Sequence, residues 1–141
     1  MSEYRQHALI HAPVERVWEL VGNPSRHPVW LPRVMEVRGD SFDVGDVYVQ
    51  VTRNPLGAQT TALMIDRLEE FRELDFHCTK TGMYMHWSLT PAQGDTFVET
   101  EFGMEPAGVG PRVFDATLGR MYLRRWLSES LEALAREAAS D

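Results

Sequence analysis

Across residues 74–104 apolar and polar side chains alternate with a period of two, and glycine-bearing turn signals interrupt the alternation twice. Such a pattern predicts two consecutive β-hairpins, closed at Thr81-Gly82 and at Gln93-Gly94-Asp95. Counting outward from those turns sets Phe76 opposite Trp87 and Trp87 opposite Thr100. It also sets Cys78 against Met85 and Met85 against Phe102, and Leu74 against Leu89 and Leu89 against Val98. One face of the predicted sheet is therefore greasy. The other carries Asp75, His77, Thr79, Tyr84, His86, Ser88, Glu99 and Glu101, which suit water. A sheet of this kind needs a cover over its apolar side, and the long C-terminal helix is the candidate.

Upstream, positions 4–11 alternate weakly and read as a first strand. Pro13 is expected at the first helical position, Val14, Val17, Trp18 and Val21 follow helical spacing, and Gly22-Asn23-Pro24 stops the run. The Pro-punctuated segment 24–32 holds at most a second short helix. Positions 34–39 and 47–53 predict strands two and three, with Val47, Val49 and Val51 on the inner face, and positions 59–68 predict strand four. The register of strand four is open. The simplest count puts Met64 opposite the valines, whereas a bulge or odd loop would bring Leu63 and Ile65 there; the second is favoured because Leu63 and Ile65 also pair with Cys78 and Phe76. From about Arg112 the chain turns helical. Its apolar positions form two arcs, Phe114, Leu118, Met121 and Tyr122 in the first half and Leu123, Leu127, Leu131 and Leu134 in the second, as if one helix met two surroundings.

Composition narrows the setting. With 141 residues, 43% of them hydrophobic and 25% charged, the chain reads as a single domain spanning residues 1–141. No apolar run approaches the roughly 20 residues of a bilayer span, so integral membrane association is not expected. The first residues lack the pattern of a secretory signal, and cytoplasmic location is the expectation. The single Cys78 excludes an internal disulfide framework. A formal net charge of −7 disfavours nucleic acid as a partner. Oligomeric state is not legible.

The order strand, two short helices, six antiparallel strands and a long helix describes an α+β helix-grip fold, a curved seven-stranded antiparallel sheet wrapped around its C-terminal helix. Specific stretches carry a resemblance: Ile10-His11-Ala12-Pro13-Val14-Glu15-Arg16-Val17-Trp18 at the first strand-to-helix junction, Trp30-Leu31-Pro32-Arg33-Val34, Trp87-Ser88-Leu89-Thr90-Pro91 before Gly94-Asp95-Thr96, and the leucine-spaced last helix. In these the chain resembles the START-like or Bet v 1-like (SRPBCC) superfamily, and within it the bacterial polyketide cyclase/dehydrase-like proteins. The resemblance covers nearly the whole chain and implies an elongated apolar cavity between sheet and last helix. In such proteins the cavity holds a lipid, polyketide or other hydrophobic molecule; the group contains binding proteins and enzymes alike.

The expected ligand-binding lining is Trp30, Val49, Val51, Leu63, Ile65, Phe76, Cys78, Met85, Trp87, Val98, Thr100 and Phe102 from the sheet side, with Phe114, Leu118, Met121 and Tyr122 from the helix. Thr100, Tyr122 and the Trp87 indole N–H are the candidates to orient a ligand, and a solid core is the competing reading. For catalysis a cyclase or dehydratase needs a positioned acid or base. Tyr122 is the one candidate, with Asp66 and Arg67 entering only if strand four shifts by a residue. Cys78 has no histidine on its face, so a nucleophilic dyad is not expected. His77 and His86 are expected as direct cross-strand neighbours with Glu101 beyond, a row on the outer face that does not converge as a metal site must; His27 is expected as a surface-loop histidine, with the cavity mouth as the alternative. Gly108-Val109-Gly110 lacks the third glycine and the strand context of a dinucleotide fingerprint. No cofactor and no metal are expected. A protein-interaction module with a vestigial cavity is a third reading.

Overall fold

The computed structural model describes residues 2–54, 57–104 and 118–140. Strand β1 (Ser2–Ile10) leads into helix α1 (Val14–Val21), a 3-10 turn (Pro24–Arg26) and the short helix α2 (His27–Trp30). Then follow β2 (Val34–Arg38), β3 (Val47–Asn54), β4 (Gly57–Glu69), β5 (Glu73–Cys78), β6 (Met83–Ala92) and β7 (Asp95–Met104), and the long helix α3 (Leu118–Ala139). All strands join one antiparallel sheet in the order β1-β7-β6-β5-β4-β3-β2. Each neighbour from β2 to β7 is also the next in sequence, and β1 closes the sheet by pairing with β7 along its whole length, Ser2 with Met104 through Ile10 with Thr96. This is the expected helix-grip arrangement.

The local signals act as elementary chemistry dictates. Pro13 sits one position earlier than expected, as the N-cap of α1, where its carbonyl accepts from the Arg16 and Val17 amides at 3.0 and 3.1 Å. Val17, Leu20 and Val21 bury the inner face of α1, and Asn23 caps the next turn by accepting from the Ser25 amide at 3.1 Å. Gly22 is required by close approach: a Cβ there would run into the Trp18 indole. At the far end of the sheet Gln93 and Gly94 have φ of 53° and 89°, the paired positive values of a type I′ turn, and Ala92 faces Asp95 across it. From that turn the β6–β7 register follows as expected, with Leu89 opposite Val98, Trp87 opposite Thr100 and Met85 opposite Phe102.

Two registers differ from expectation. In β5–β6 the partners are Phe76 with Met85 and Leu74 with Trp87, two residues from the counted pairing. The cause is the loop, which takes in residues 79–82 and closes with the Gly82 amide on the Cys78 carbonyl at 3.0 Å, rather than turning on Thr81-Gly82 alone. An even slip keeps every side chain on its face, so the greasy row survives. In β3–β4 the simplest count holds without a bulge, Val47 opposite Met64 and Tyr48 opposite Leu63. Leu63 and Ile65 do pair with Cys78 and Phe76, and the bulge lies later, between Ile65 and Arg67. Tyr48, 1% exposed, is therefore the inward residue of β3, while Val47 is 49% exposed and Val49 and Val51 share its outward side. An odd displacement inverts a strand, and the expected lining role of Val49 and Val51 fails for that reason.

Helix α3 supplies the cover. Leu127, Leu131, Leu134 and Ala138 are buried in one continuous core with Trp87, Val98, Leu20 and Trp30. The Trp126 indole donates to the Pro32 carbonyl at 3.0 Å and packs edge-on against Phe102 at 6.1 Å. Arg16 from α1 donates to the Glu137 carbonyl at 3.0 Å near the helix end. At 3.6 residues per turn Met121 lies roughly 110° around the helix from this buried stripe. It is 72% exposed, so it does not line the interior as expected.

Candidate functional site

The inner face of the sheet is apolar and aromatic, and rings follow one another across it. Phe42 meets Tyr48 at 5.5 Å between centroids, Tyr48 meets Phe76 at 6.2 Å, and Phe76 meets His27 at 6.5 Å. His27 meets Trp30 edge-on at 5.7 Å, and Trp30 meets Trp87 at 5.5 Å. Set among these rings are the Tyr48 hydroxyl, the Trp87 indole N–H, the Thr100 hydroxyl and Nδ1 of His27, all buried and none with a hydrogen-bond partner among the described residues. Each such group costs about 1–3 kcal/mol when left unmet.

His27 is wholly buried, contrary to the surface position expected of it. Its Nε2 lies 2.9 Å from the Val21 carbonyl, which can only accept, so Nε2 carries the proton. Burial pushes its pKa down to about 4, outweighing the backbone hydrogen bond that raises it. At neutral pH the ring is uncharged and Nδ1 presents a bare lone pair. Trp30, one turn on, turns its indole to the Leu20 carbonyl at 2.9 Å, so the last residues of α1 hold both rings in place. Burial likewise raises the Tyr48 pKa, and its phenol stays protonated.

The outer face has a different character. Arg67, Asp75, His86, Glu101 and Arg5 stand opposite one another on successive strands, a row of alternating charge. His86 pairs with Asp75, and Arg5 with Glu101 through a 3.0 Å bond from its Nε. The Asp75 hydrogen bond, reinforced by the charges of Asp75, Glu73 and Glu101, raises the His86 pKa despite partial desolvation. His77 faces Tyr84 rather than His86, and its Nδ1 bonds Asp66 at 2.7 Å; the bulge thus turns Asp66 outward, away from the interior. Tyr84 lies across Gly103, where a Cβ would strike its ring, and donates to Glu101 at 3.2 Å. A groove of about 410 Å³ opens along this row. Its groups satisfy one another, and among the described residues no three His, Cys, Asp or Glu side chains converge to hold a metal ion.

Of the expected lining, Trp30, Leu63, Ile65, Phe76, Cys78, Met85, Trp87, Val98 and Thr100 are buried together, and Phe102 is half-buried against Trp126. Val49, Val51 and Met121 stand elsewhere. Phe114 lies outside the described residues; Leu118 and Tyr122 belong to the first turns of α3, and these two side chains are outside the description as well. Burial pushes the Cys78 thiol up, but hydrogen bonds from Thr81 and Lys80 and the Lys80 charge outweigh it and leave the thiol below its ordinary value. Tyr48 and His27 are the inner residues that sequence reasoning missed. The unforced β3–β4 count pointed to Tyr48, and the three-residue spacing of His27 and Trp30 places them on one side of a helical turn.

The sequence matches the family model described as polyketide cyclase/dehydrase and lipid transport over residues 1–139. Solved structures share the fold. An aromatase/cyclase from Streptomyces sp. R1128 superposes with a TM-score of 0.76 at 16% identity, covering 97% of this chain and 93% of that one. A Bacillus halodurans protein gives 0.77 at 17% identity, covering 98% and 97%. A putative protein of the dynemicin biosynthetic locus gives 0.70 at 20%, covering 96% of this chain and 46% of its own. No curated protein sequence matches, and no helix among the described residues is long and apolar enough to cross a membrane. Because the family model matches residues 1–139 of the 141, the chain belongs to the polyketide cyclase/dehydrase and lipid transport family.

Proposed function

We propose that this protein binds a small hydrophobic molecule, lipid-, polyketide- or aromatic-like, between the inner face of the sheet and α3. The observation that carries the reading is the pair of orphaned groups at its centre: the Trp87 N–H and the Thr100 hydroxyl are direct cross-strand neighbours, buried, and without partners among the described residues. A solid core would select valine or leucine at such positions, because an unmet polar group destabilises the fold with no return. A ligand carbonyl or hydroxyl would satisfy both while the surrounding rings desolvate its body. Trp30, whose ring meets the Trp87 indole at 5.5 Å, and Leu74, the partner of Trp87 on β5, supply buried apolar surface beside them. The family description, which names lipid transport, supports the same class of cargo.

Native mass spectrometry of freshly purified protein tests this. Retention of an apolar molecule at unit stoichiometry, lost in Thr100→Val with Trp87→Phe, is the expected result; a protein that stays empty and takes up no naphthalene-sized probe overturns it. A second reading, a cyclase or dehydratase acting on the same bound molecule, is favoured by one feature. The His27 Nδ1 lone pair is a buried acceptor that would receive a proton from an enolising substrate, although the burial that lowers its pKa to about 4 makes it a weaker base than an ordinary histidine. Turnover of an aromatic polyketide that disappears in His27→Phe but survives in Cys78→Ala would establish it.

A further inference from the structure

Charge is distributed unevenly between the two ends of the sheet. Because neighbouring strands run antiparallel, the turns alternate: those at 31–33, 54–57 and 79–82 share one end, where the Arg53 amide also reaches the Arg33 carbonyl at 2.8 Å, and those at 39–46, 70–72 and 93–94 share the other. Arg16 holds the C-terminal end of α3 beside α1, so the first turns of α3 lie toward the first end. That end carries Arg33, Arg53, Lys80, Arg124 and Arg125, and neither its three turns nor residues 118–125 contain an Asp or Glu. The opposite turns, counted with the residues flanking them, carry Asp40, Asp43, Asp46, Glu69, Glu70, Glu73 and Asp95 against Arg38 and Arg72. We propose that the basic end docks this protein on an anionic lipid bilayer.

Exposure at this end supports the docking. Arg53, Lys80, Arg124 and Arg125 are all exposed, and Arg125 pairs at 3.0 Å with Glu129, one turn further along α3. Two apolar side chains project on the same elements: Met121, 72% exposed on the first turns of α3, and Val29, 52% exposed on α2 just before the 31–33 turn. The bond from the Trp126 indole to the Pro32 carbonyl ties the two helices together there. Cations beside projecting apolar groups make an interfacial contact, the cations meeting lipid phosphates while Met121 and Val29 enter the acyl boundary. Met121 and Val29 stand singly on separate helices rather than lining a groove, which suits a fluid surface better than a folded acidic partner. The formal net charge of −7 does not oppose this: a strand of 10 residues such as β6 spans about 33 Å, so the acidic turns stand several screening lengths of about 8 Å from the surface. Met83 and the half-buried Phe102 also lie at this end, so a cargo leaving the interior past them would emerge at the bilayer. The docking itself does not rest on the binding reading.

Co-sedimentation of the full chain with vesicles tests it, using phosphatidylcholine alone and phosphatidylcholine mixed with phosphatidylglycerol. Binding is expected with the anionic vesicles only and should weaken as salt is raised. Each cation near the surface is worth roughly fivefold in partitioning, so the triple variant Arg53→Gln, Lys80→Gln, Arg124→Gln is expected to bind about a hundredfold more weakly. Arg38→Gln with Arg67→Gln and Arg72→Gln makes the same change in net charge away from this end and should stay within about threefold of the wild type. All six side chains are exposed, so neither variant disturbs the core. A polarity-sensitive fluorophore attached to Met121→Cys in a Cys78→Ala background should shift to the blue on anionic vesicles, and the same label on Val44→Cys, in the turn at the acidic end, should not. Absence of binding to anionic vesicles overturns the proposal. So does equal weakening in both triple variants, which would trace binding to net charge, and so does equal binding to soluble polyglutamate with no blue shift at 121, which would point to an acidic protein partner. None of these outcomes bears on retention of an apolar molecule, which native mass spectrometry reads separately.

Discussion

Thr96 and Thr100 lie on the same strand, both wholly buried, and the same substitution is expected to move stability in opposite directions. The Thr96 hydroxyl donates to the Ala12 carbonyl at 2.8 Å, tying β7 to the turn before α1. Thr96→Val deletes that bond and leaves a buried carbonyl bare, a loss of about 1–3 kcal/mol. Thr100 has no such partner among the described residues, and Thr100→Val keeps the branched shape while removing an unmet hydroxyl, a gain of about 1–2 kcal/mol. For 141 residues the unfolding entropy near the midpoint is about 0.3 kcal/mol/K, so each kcal/mol shifts Tm by about 3 °C. Differential scanning calorimetry on protein stripped of bound apolar molecules should place Thr96→Val about 3–9 °C below the wild type and Thr100→Val about 3–6 °C above it. If Thr100→Val loses as much as Thr96→Val, the hydroxyl has an internal partner and the case for an outside one fails. A stabilised Thr100→Val that also binds its ligand less well would instead be the mark of stability given up for function.

Further outcomes follow from the same geometry. His27 is held near 4 against an ordinary 6.5, so the unfolded chain takes up a proton that the folded protein refuses; stability full above pH 6.5 should fall by on the order of 3 kcal/mol on going to pH 4, and urea titrations should find this slope reduced in His27→Gln. His86 works in the opposite sense. Its raised pKa gives a contribution present below pH 6.5 and lost as pH rises through the folded value, and because the pair is part-exposed His86→Gln should alter the profile by less than about 1 kcal/mol. Gly103→Ala should cost about 1–3 kcal/mol by driving a methyl into the Tyr84 ring, and most of that cost should vanish in a Tyr84→Ala background. Trp126→Phe removes the hydrogen bond to Pro32 and should loosen α3 by about 1 kcal/mol in thermal unfolding without abolishing ligand uptake.

Much of this molecule is written in its local pattern. Alternation between positions 74 and 104, a Gln-Gly turn, a proline at the head of α1 and leucines spaced along α3 are each near-neighbour signals, and together they specify the elements, their order and the greasy face of the hairpins. Faces survive even where the register was miscounted, because the β5–β6 slip is by two residues and side chains repeat every two. What only the folded chain decided depends on contacts distant in sequence. Hydrophobicity alone could not choose between the valines of β3 and Tyr48, since both can pack; the unbulged pairing with β4 turned Tyr48 inward and moved the irregularity to Asp66. Likewise His27 sits in a proline-broken stretch with nothing in its neighbours to mark it as core. It is the Val21 carbonyl, Trp30 and Phe76, brought from a helix end, a helical turn and a strand, that surround it and leave its Nδ1 without a partner among the described residues. Composition and periodicity determine that this chain must bury an apolar sheet under a helix; the assembled interior determines which polar atoms are left over inside it.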